Sequence, residues 1–239
     1  MKLLNHFYQV GGPSVSLPID ATCYLIGAQD DLWLIDCGTP QGFEKICANI
    51  RKTGHCCENV KGILGTHGHY DHVGAAAMFK EKFGTKFWLH ENDVRQMEEG
   101  DGIKTTAALL YGATCPTCKV DYYLHDGDVF EFGDIRLSVL HTPGHTLGSV
   151  CFDMQADGLS ILIAGDTIWG GYSKKIGSDE VLWEKSLKRI TGMHFDHFTF
   201  GHINPQLIAD ADTRLKEAAA SFNIYYTPWF KTFDRTFCY

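Results

Sequence analysis

The chain has 239 residues, 44% of them hydrophobic and 21% charged, with a formal net charge of −8 from 29 acidic and 21 basic side chains. That length and composition suit one α/β domain, residues 1–239, with a core of ordinary size. The acidic balance, with no basic cluster beyond pairs such as Lys174-Lys175 and Lys188-Arg189, excludes a phosphate backbone as the main ligand, because such binding needs clustered Lys and Arg.

The segment Met1 to His6 holds no apolar run of signal-peptide length, and no later segment approaches a membrane span. The expectation is a cytoplasmic chain that partners neither membrane nor nucleic acid. Nine cysteines, an odd number, then read as free thiols. Cys115-Pro-Thr-Cys118 has redox or metal spacing, but no second pair accompanies it.

Apolar runs at 23–27 and 32–36 flank Ala-Gln-Asp-Asp and predict a hairpin. A helix is predicted from Pro40 to just before Gly54, through Phe43, Ile46, Cys47 and Ile50. Residues 60–65 read as a short buried strand and 73–83 as a helix stopped by Gly84. A strand at 86–89 and a helix at 91–98 follow. The stretch 98–118 is irregular, with Gly100, Gly102, Gly112 and Pro116, and reads as a lid or a helical hairpin. Five strand-like runs occupy 120–124, 129–132, 135–140, 149–154 and 159–163, the last two joined by a turn at Gln155-Ala-Asp-Gly158. A helix at 181–190, a strand at 197–200 and an alanine-rich helix at 208–222 complete the pattern. The aromatic tail 224–239 is expected to pack back on the body. Two packed sheets with helices outside would satisfy this order.

The densest chemistry is Thr66-His67-Gly68-His69-Tyr70-Asp71-His72, between a buried strand and a helix. Imidazole and carboxylate together suit borderline metals such as zinc or iron(II), and Gly68 lets the loop bend so that alternate side chains converge. A merely solubilising polar turn would have to explain four ligand-type side chains at one strand end. Three more signals sit just after apolar strands: His141-Thr-Pro-Gly-His145-Thr, Gly165-Asp166-Thr167 and Gly201-His202. Alone, His145, Asp166 and His202 have plain readings as loop, cap and strand-end residues. Together they can converge from one sheet rim on one cleft.

These motifs resemble those of the metallo-β-lactamase superfamily: H-x-H-x-D-H at 67–72, T-P-G-H-T-x-G-S at 142–149, G-D-T at 165–167 and G-H at 201–202. The resemblance spans about residues 20 to 205. It implies an α+β fold, an αβ/βα four-layer sandwich of two mixed sheets packed face to face with helices outside. It implies two divalent metal ions, zinc first, with iron or manganese as alternatives. His67, His69 and His145 would hold the first ion, Asp71, His72 and His202 the second, and Asp166 would bridge them.

Such a pair would bring a shared water to a near-neutral pKa, and the resulting hydroxide would attack a carbonyl carbon. Asp71 is then the candidate catalytic residue, orienting the hydroxide and relaying a proton. His141, Thr66, Thr142, Thr167 and Asp36 are candidates to orient the ligands. Tyr70, between the ligands, reads as turned away from the metals. Tyr111, Tyr122, Tyr123 and Tyr172 are unranked oxyanion donors, and Trp169-Gly-Gly-Tyr172 is a candidate substrate wall.

The motif set is closer to the glyoxalase II and lactonase-like branches than to the RNA-processing ones. Glyoxalase II proteins carry a C-terminal helical extension that helps bind glutathione, whereas one helix and an aromatic tail dominate the stretch after His202 here. The expected function is therefore hydrolysis of a small-molecule ester, thioester or lactone. Two readings compete. A persulfide-oxidising mononuclear iron enzyme needs few of Asp71, His72 and His202. A non-catalytic metal-binding or sensing protein would be expected to have lost a ligand, and none is missing.

Overall fold

The structure is a computed structural model and describes residues 1–28 and 30–225. Most of the aromatic tail thus lies outside the described residues. The first sheet follows the chain: β1 (Lys2–Leu4), β2 (Phe7–Gly11), β3 (Cys23–Ala28), β4 (Asp31–Ile35), β5 (Val60–Leu64), β6 (Lys86–His90) and β7 (Tyr122–Leu124). It is antiparallel from β1 to β4 and parallel from β4 to β7. The second sheet comprises β8 (Val129–Phe132), β9 (Ile135–His141), β10 (Val150–Ala156), β11 (Leu159–Ile163), β12 (His197–Thr199) and β13 (Ile208–Ala209), again adjacent in chain order. Only β11 and β12 pair in parallel there. Among the described residues seven α-helices surround the sheets: α1 (Phe43–Lys52), α2 (Tyr70–Val73), α3 (Ala76–Phe83), α4 (Glu91–Glu99), α5 (Ala107–Tyr111), α6 (Glu180–Thr191) and α7 (Ala211–Ala220).

Strand alternation builds three apolar layers. Tyr24 and Ile26 of β3 face Val139, Phe152, Ile161 and Ile163 of the second sheet. Cys23 and Leu25, one residue out of phase, face outward to Phe43, Ile46 and Ile50 of α1 and Phe79 of α3. On the far side, Cys151 and Leu162 pack with Trp183, Leu187 and Ile190 of α6 and Leu215 of α7. Strands covered on both faces are apolar throughout, which is why Ile161, Leu162 and Ile163 form an unbroken run in β11. This is the α+β four-layer sandwich expected.

The elements depart from expectation in four places. The first strands, β1 and β2, had no strong sequence signal. The helix expected at 73–83 is two: Ala75 N donates to Gly38 O (2.9 Å) while Asp71 O accepts from Ala21 N (3.0 Å), so the helical bond between residues 75 and 71 is replaced. Residues 208–209 are a strand, not the start of a helix, because Ile208 and Ala209 pair with Phe198 and His197. Asp210 at φ 56° then separates β13 from α7. Finally, 98–118 holds one short helix, α5, not a hairpin; Cys118 N donates to Met97 O and Ala113 N to Ala107 O.

The two sheets are joined near the site by a buried hydrogen bond between the Tyr24 and Thr199 hydroxyls. Tyr24→Phe leaves the Thr199 hydroxyl without that partner and should cost about 1–2 kcal/mol. Urea unfolding is expected to show a lower midpoint with an unchanged slope; an unaltered midpoint would refute the role.

Candidate metal centre

Four strand ends meet at one rim. The loop after β5 carries His67 and His69, and the short helix α2 that follows it carries Asp71 and His72; the segments after β9, β11 and β12 carry His145, Asp166 and His202. All seven come together, and all but His202 are buried. The His202 side chain is 38% exposed.

The first cluster is three imidazoles. His69 Nδ1 lies 2.9 Å from His67 Nε2 and 3.0 Å from His145 Nε2. The other ring nitrogens of His67 and His145 are committed elsewhere, and His69 Nε2 is buried with no hydrogen-bond partner. His145 Nδ1 donates to Gly171 O at 2.8 Å. Thr66 Oγ1 donates to Asp36 Oδ2 at 2.8 Å and so accepts from His67 Nδ1 at 3.0 Å. Both Nε2 atoms are therefore acceptors aimed at a third nitrogen. One shared proton cannot satisfy them; a single cation can.

The second cluster is acidic. His72 Nε2 makes no hydrogen bond yet lies 3.3 Å from Asp166 Oδ1 and 3.8 Å from Asp71 Oδ2. His202 Nε2 is 3.4 Å from Asp71 Oδ2 and 3.5 Å from Asp166 Oδ2. Asp166 Oδ2 is also 3.5 Å from His145 Nε2, so this carboxylate faces both clusters. His72 Nδ1 donates to Asp36 Oδ2 at 2.7 Å, which turns Nε2 inward.

The electrostatics divide the two groups. Burial, then neighbouring imidazoles, push His67 and His69 well below the ordinary histidine pKa. Burial also lowers His145, offset in part by Asp166. For His72 burial is outweighed by Asp166, Asp36 and Asp71, which raise its pKa well above the ordinary value. The same balance, led by Asp166 against burial, raises His202. Burial opposes the charge of Asp166 as well, but His202 and His72 hold it well below the usual carboxylate range. A field that favours a proton at His72 and His202 also favours a divalent cation there. The donor set thus fits metal at both clusters.

Close packing fixes the Asp166 carboxylate and the 67–69 loop. A Cβ at Gly201 would fall 1.9 Å from Asp166 Oδ1, and one at Gly68 would fall 2.3 Å from Gln96 Nε2. Asp93, on α4, was not singled out in the sequence. It is buried, and its carboxylate accepts from Gly68 N (2.8 Å), Gly148 N (3.0 Å) and Thr146 Oγ1 (2.7 Å), tying the 67–72 loop to the 145 loop. An acid in a helix's first turn reads as exposed and dipole-compensating; its apolar neighbours Val94 and Met97 at buried positions were the available signal. Gln96 Nε2 also donates to Gly68 O (2.9 Å).

The other expected neighbours sort unequally. Asp36 and Thr66 do touch ligands. His141 does not: its ring stacks on His90 (3.9 Å) and Nε2 donates to Leu147 O. Thr142 and Thr167 pair their hydroxyls at 2.9 Å. Tyr70 donates to Gln41 Oε1, while Tyr122 and Tyr123 are half exposed on β7. Tyr111 and Tyr172 line a cavity of about 320 Å³ above the two clusters, with Trp169 and Gly170. Burial and then Asp71 push the Tyr111 hydroxyl far above the ordinary phenol range, so it stays a donor. Cys115 and Cys118 are buried free thiols in the apolar layer beneath α1 and α3, raised by burial, Cys118 to about 11. They are inert packing residues at neutral pH.

Residues 18–220 match the family model of the metallo-beta-lactamase superfamily. The chain belongs to that superfamily. It is 38% identical over 135 residues to an uncharacterised protein of Aquifex aeolicus, covering 55% of this chain and 61% of that one. It is 32% identical over 168 residues to a hydroxyacylglutathione hydrolase of Rhizobium meliloti, covering 66% and 57%. The chain thus spans about three-fifths of the length of these curated relatives. Among solved structures it is similar to the metallo-β-lactamase GOB-18 of Elizabethkingia meningoseptica, with a TM-score of 0.75, 27% identity, and 92% and 89% of the two chains covered.

Asp93→Ala removes the acceptor of two loop amides and a hydroxyl. It should destabilise the protein by roughly 2–4 kcal/mol. Chemical unfolding measures this; a loss under about 0.5 kcal/mol would show that the Asp93 ties are replaceable by water.

Proposed function

We propose that the chain is a metal-dependent hydrolase that holds two divalent ions, zinc first, and cleaves an ester, thioester or lactone of a small molecule. The observation that carries this reading is the convergence of buried acceptors: two imidazole Nε2 atoms on His69 Nδ1, beside His72 Nε2 with no hydrogen bond between two carboxylates. In this assignment His67, His69 and His145 would hold one ion and Asp71, His72 and His202 the other, with the Asp166 carboxylate, which faces both clusters, shared between them. Such a pair, when bound, supplies Lewis acidity toward a carbonyl and lowers the pKa of water.

The chain's own residues do the remaining work. Asp36 and Gly171 O fix the tautomers of His72 and His145 through Nδ1, and Thr66 does so for His67. Asp71 takes up the proton of the attacking water at its carboxylate and returns it to the leaving group. Tyr111, in the cavity wall near Asp71, keeps its hydroxyl as a donor toward developing negative charge. The Rhizobium hydroxyacylglutathione hydrolase supports carbonyl hydrolysis as the reaction class.

The test is metal content on untagged protein purified without added metal, followed by a hydrolysis screen. Close to two zinc ions per chain, with activity lost on chelation and regained with zinc, is the expected result. A single iron with no appetite for a second metal would turn the reading toward oxidation of a persulfide. For the proton-relay role, Asp71→Asn should lower kcat by about 100-fold or more. Full activity at full metal content in that variant would rule the role out.

A further inference from the structure

We infer that the substrate is an uncharged acyl compound with an apolar chain, and that α5 and the loop after β11 read that chain; this rests on the hydrolase reading above. The cavity is polar at its floor and apolar on its walls. Asp71, Asp166 and the histidines form the floor. Leu109, Leu110 and Tyr111 on one side and Trp169, Tyr172 and Ile176 on the other form the walls. Among the described residues no lysine or arginine lines it.

That distribution discriminates by charge. A carboxylate carried on the acyl chain would leave water for walls on which the described residues offer hydroxyls and hydrocarbon but no lysine or arginine, and an unpaired buried charge is strongly disfavoured. The nearby cations point to other surfaces. Lys104 lines a separate groove with Asn92, Arg95 and Glu99. Lys174 and Lys175 stand exposed on the turn beyond Ser173 and do not line the cavity.

The wall also has an unmet apolar demand. Leu110 lines the cavity while 66% exposed, and Ile103, on the loop leading into α5, is 44% exposed. Hydrocarbon laid against Leu110 removes apolar surface from water on both partners. A volume of about 320 Å³ sits at the low end of small-molecule sites, and suits a medium chain better than a bulky peptide-like group.

The experiment uses the zinc-loaded full chain and thioesters of one neutral thiol, N-acetylcysteamine, with acetyl, butanoyl, hexanoyl, octanoyl and succinyl groups, beside matched esters and lactones. Expected is a rise in kcat/KM of about fourfold per added methylene until the wall is covered. Succinyl should be at least tenfold poorer than butanoyl. Non-hydrolysable thioether analogues of the octanoyl and succinyl compounds, titrated calorimetrically, should bind in the same order. Leu110→Ser should lower the octanoyl-to-acetyl ratio several-fold with bound zinc unaltered. Hydrolysis with no chain-length dependence, or with succinyl preferred, overturns this inference and leaves the hydrolase reading standing. No hydrolysis of any member by protein carrying its zinc overturns the hydrolase reading, and this inference with it.

Discussion

The carboxylate of Asp166 stands between imidazoles from three strand ends, 3.3 Å from His72 Nε2 and 3.5 Å from the Nε2 atoms of His145 and His202. Its burial is costly unless positive charge reaches both of its oxygens. Against burial, Asp166, Asp36 and Asp71 raise the pKa of His72 and Asp166 and Asp71 raise that of His202, so the field there favours positive charge, whereas burial lowers the pKa of His145. The Nε2 atoms of His67 and His145 are acceptors by construction, because the partners of their Nδ1 atoms already take the ring proton. Charge and lone pairs are left in a state that bound cations would complete. Native proteins break the rule of satisfied buried polar groups mainly where function requires it.

This unsatisfied centre is tolerable because everything around it is over-determined. The ligands sit on short turns at the ends of strands, not on long loops, so packing of the strands sets their positions. Each turn is then tied by an acid or carbonyl from a different element: Asp36 after β4, Asp93 on α4, and Gly171 O in the loop after β11. Thr22 contributes from the stretch before β3, its N donating to Gly201 O (2.7 Å) and its hydroxyl accepting from Ile203 N (3.2 Å). Loss of one tie therefore changes the geometry of ligands it does not touch. Repulsive arrangements persist only when the surrounding structure holds them.

Much of this was legible in the chain itself. Buried strands announce themselves as apolar runs, and every cluster of ligand-type residues directly followed one, so both the layers and the rim could be read. What escaped was information that only folding creates. Asp93 has the local signature of an exposed first-turn acid, and nothing nearby in sequence reveals that Gly68 and Gly148 approach it from 25 and 55 residues away. His141 lies close to His145 in sequence, yet strand geometry turns it outward onto His90. The boundary at Asp210 depended on a strand pairing with β12 that two residues, Ile208 and Ala209, cannot signal by periodicity.

The division between legible and illegible follows the division of labour in the site. The floor is made of residue types whose chemistry is narrow, so their spacing carries meaning even in a bare sequence. The walls come from 106–111 and 169–176, segments with neither strand nor long-helix periodicity. Hydrocarbon there has no distinctive spacing, because a leucine facing a cavity and a leucine facing a core look alike. Membership of a superfamily therefore constrains the reaction far more tightly than the reactant. What selects the reactant is the contrast between the two surfaces: a floor that concentrates negative charge and metal-binding nitrogens, and walls on which described residues offer no cation. On the proposed reading, substrate choice rests on Leu109, Leu110, Tyr111 and Tyr172, which line the cavity apart from the candidate ligands, whereas a change at a candidate ligand alters the centre itself.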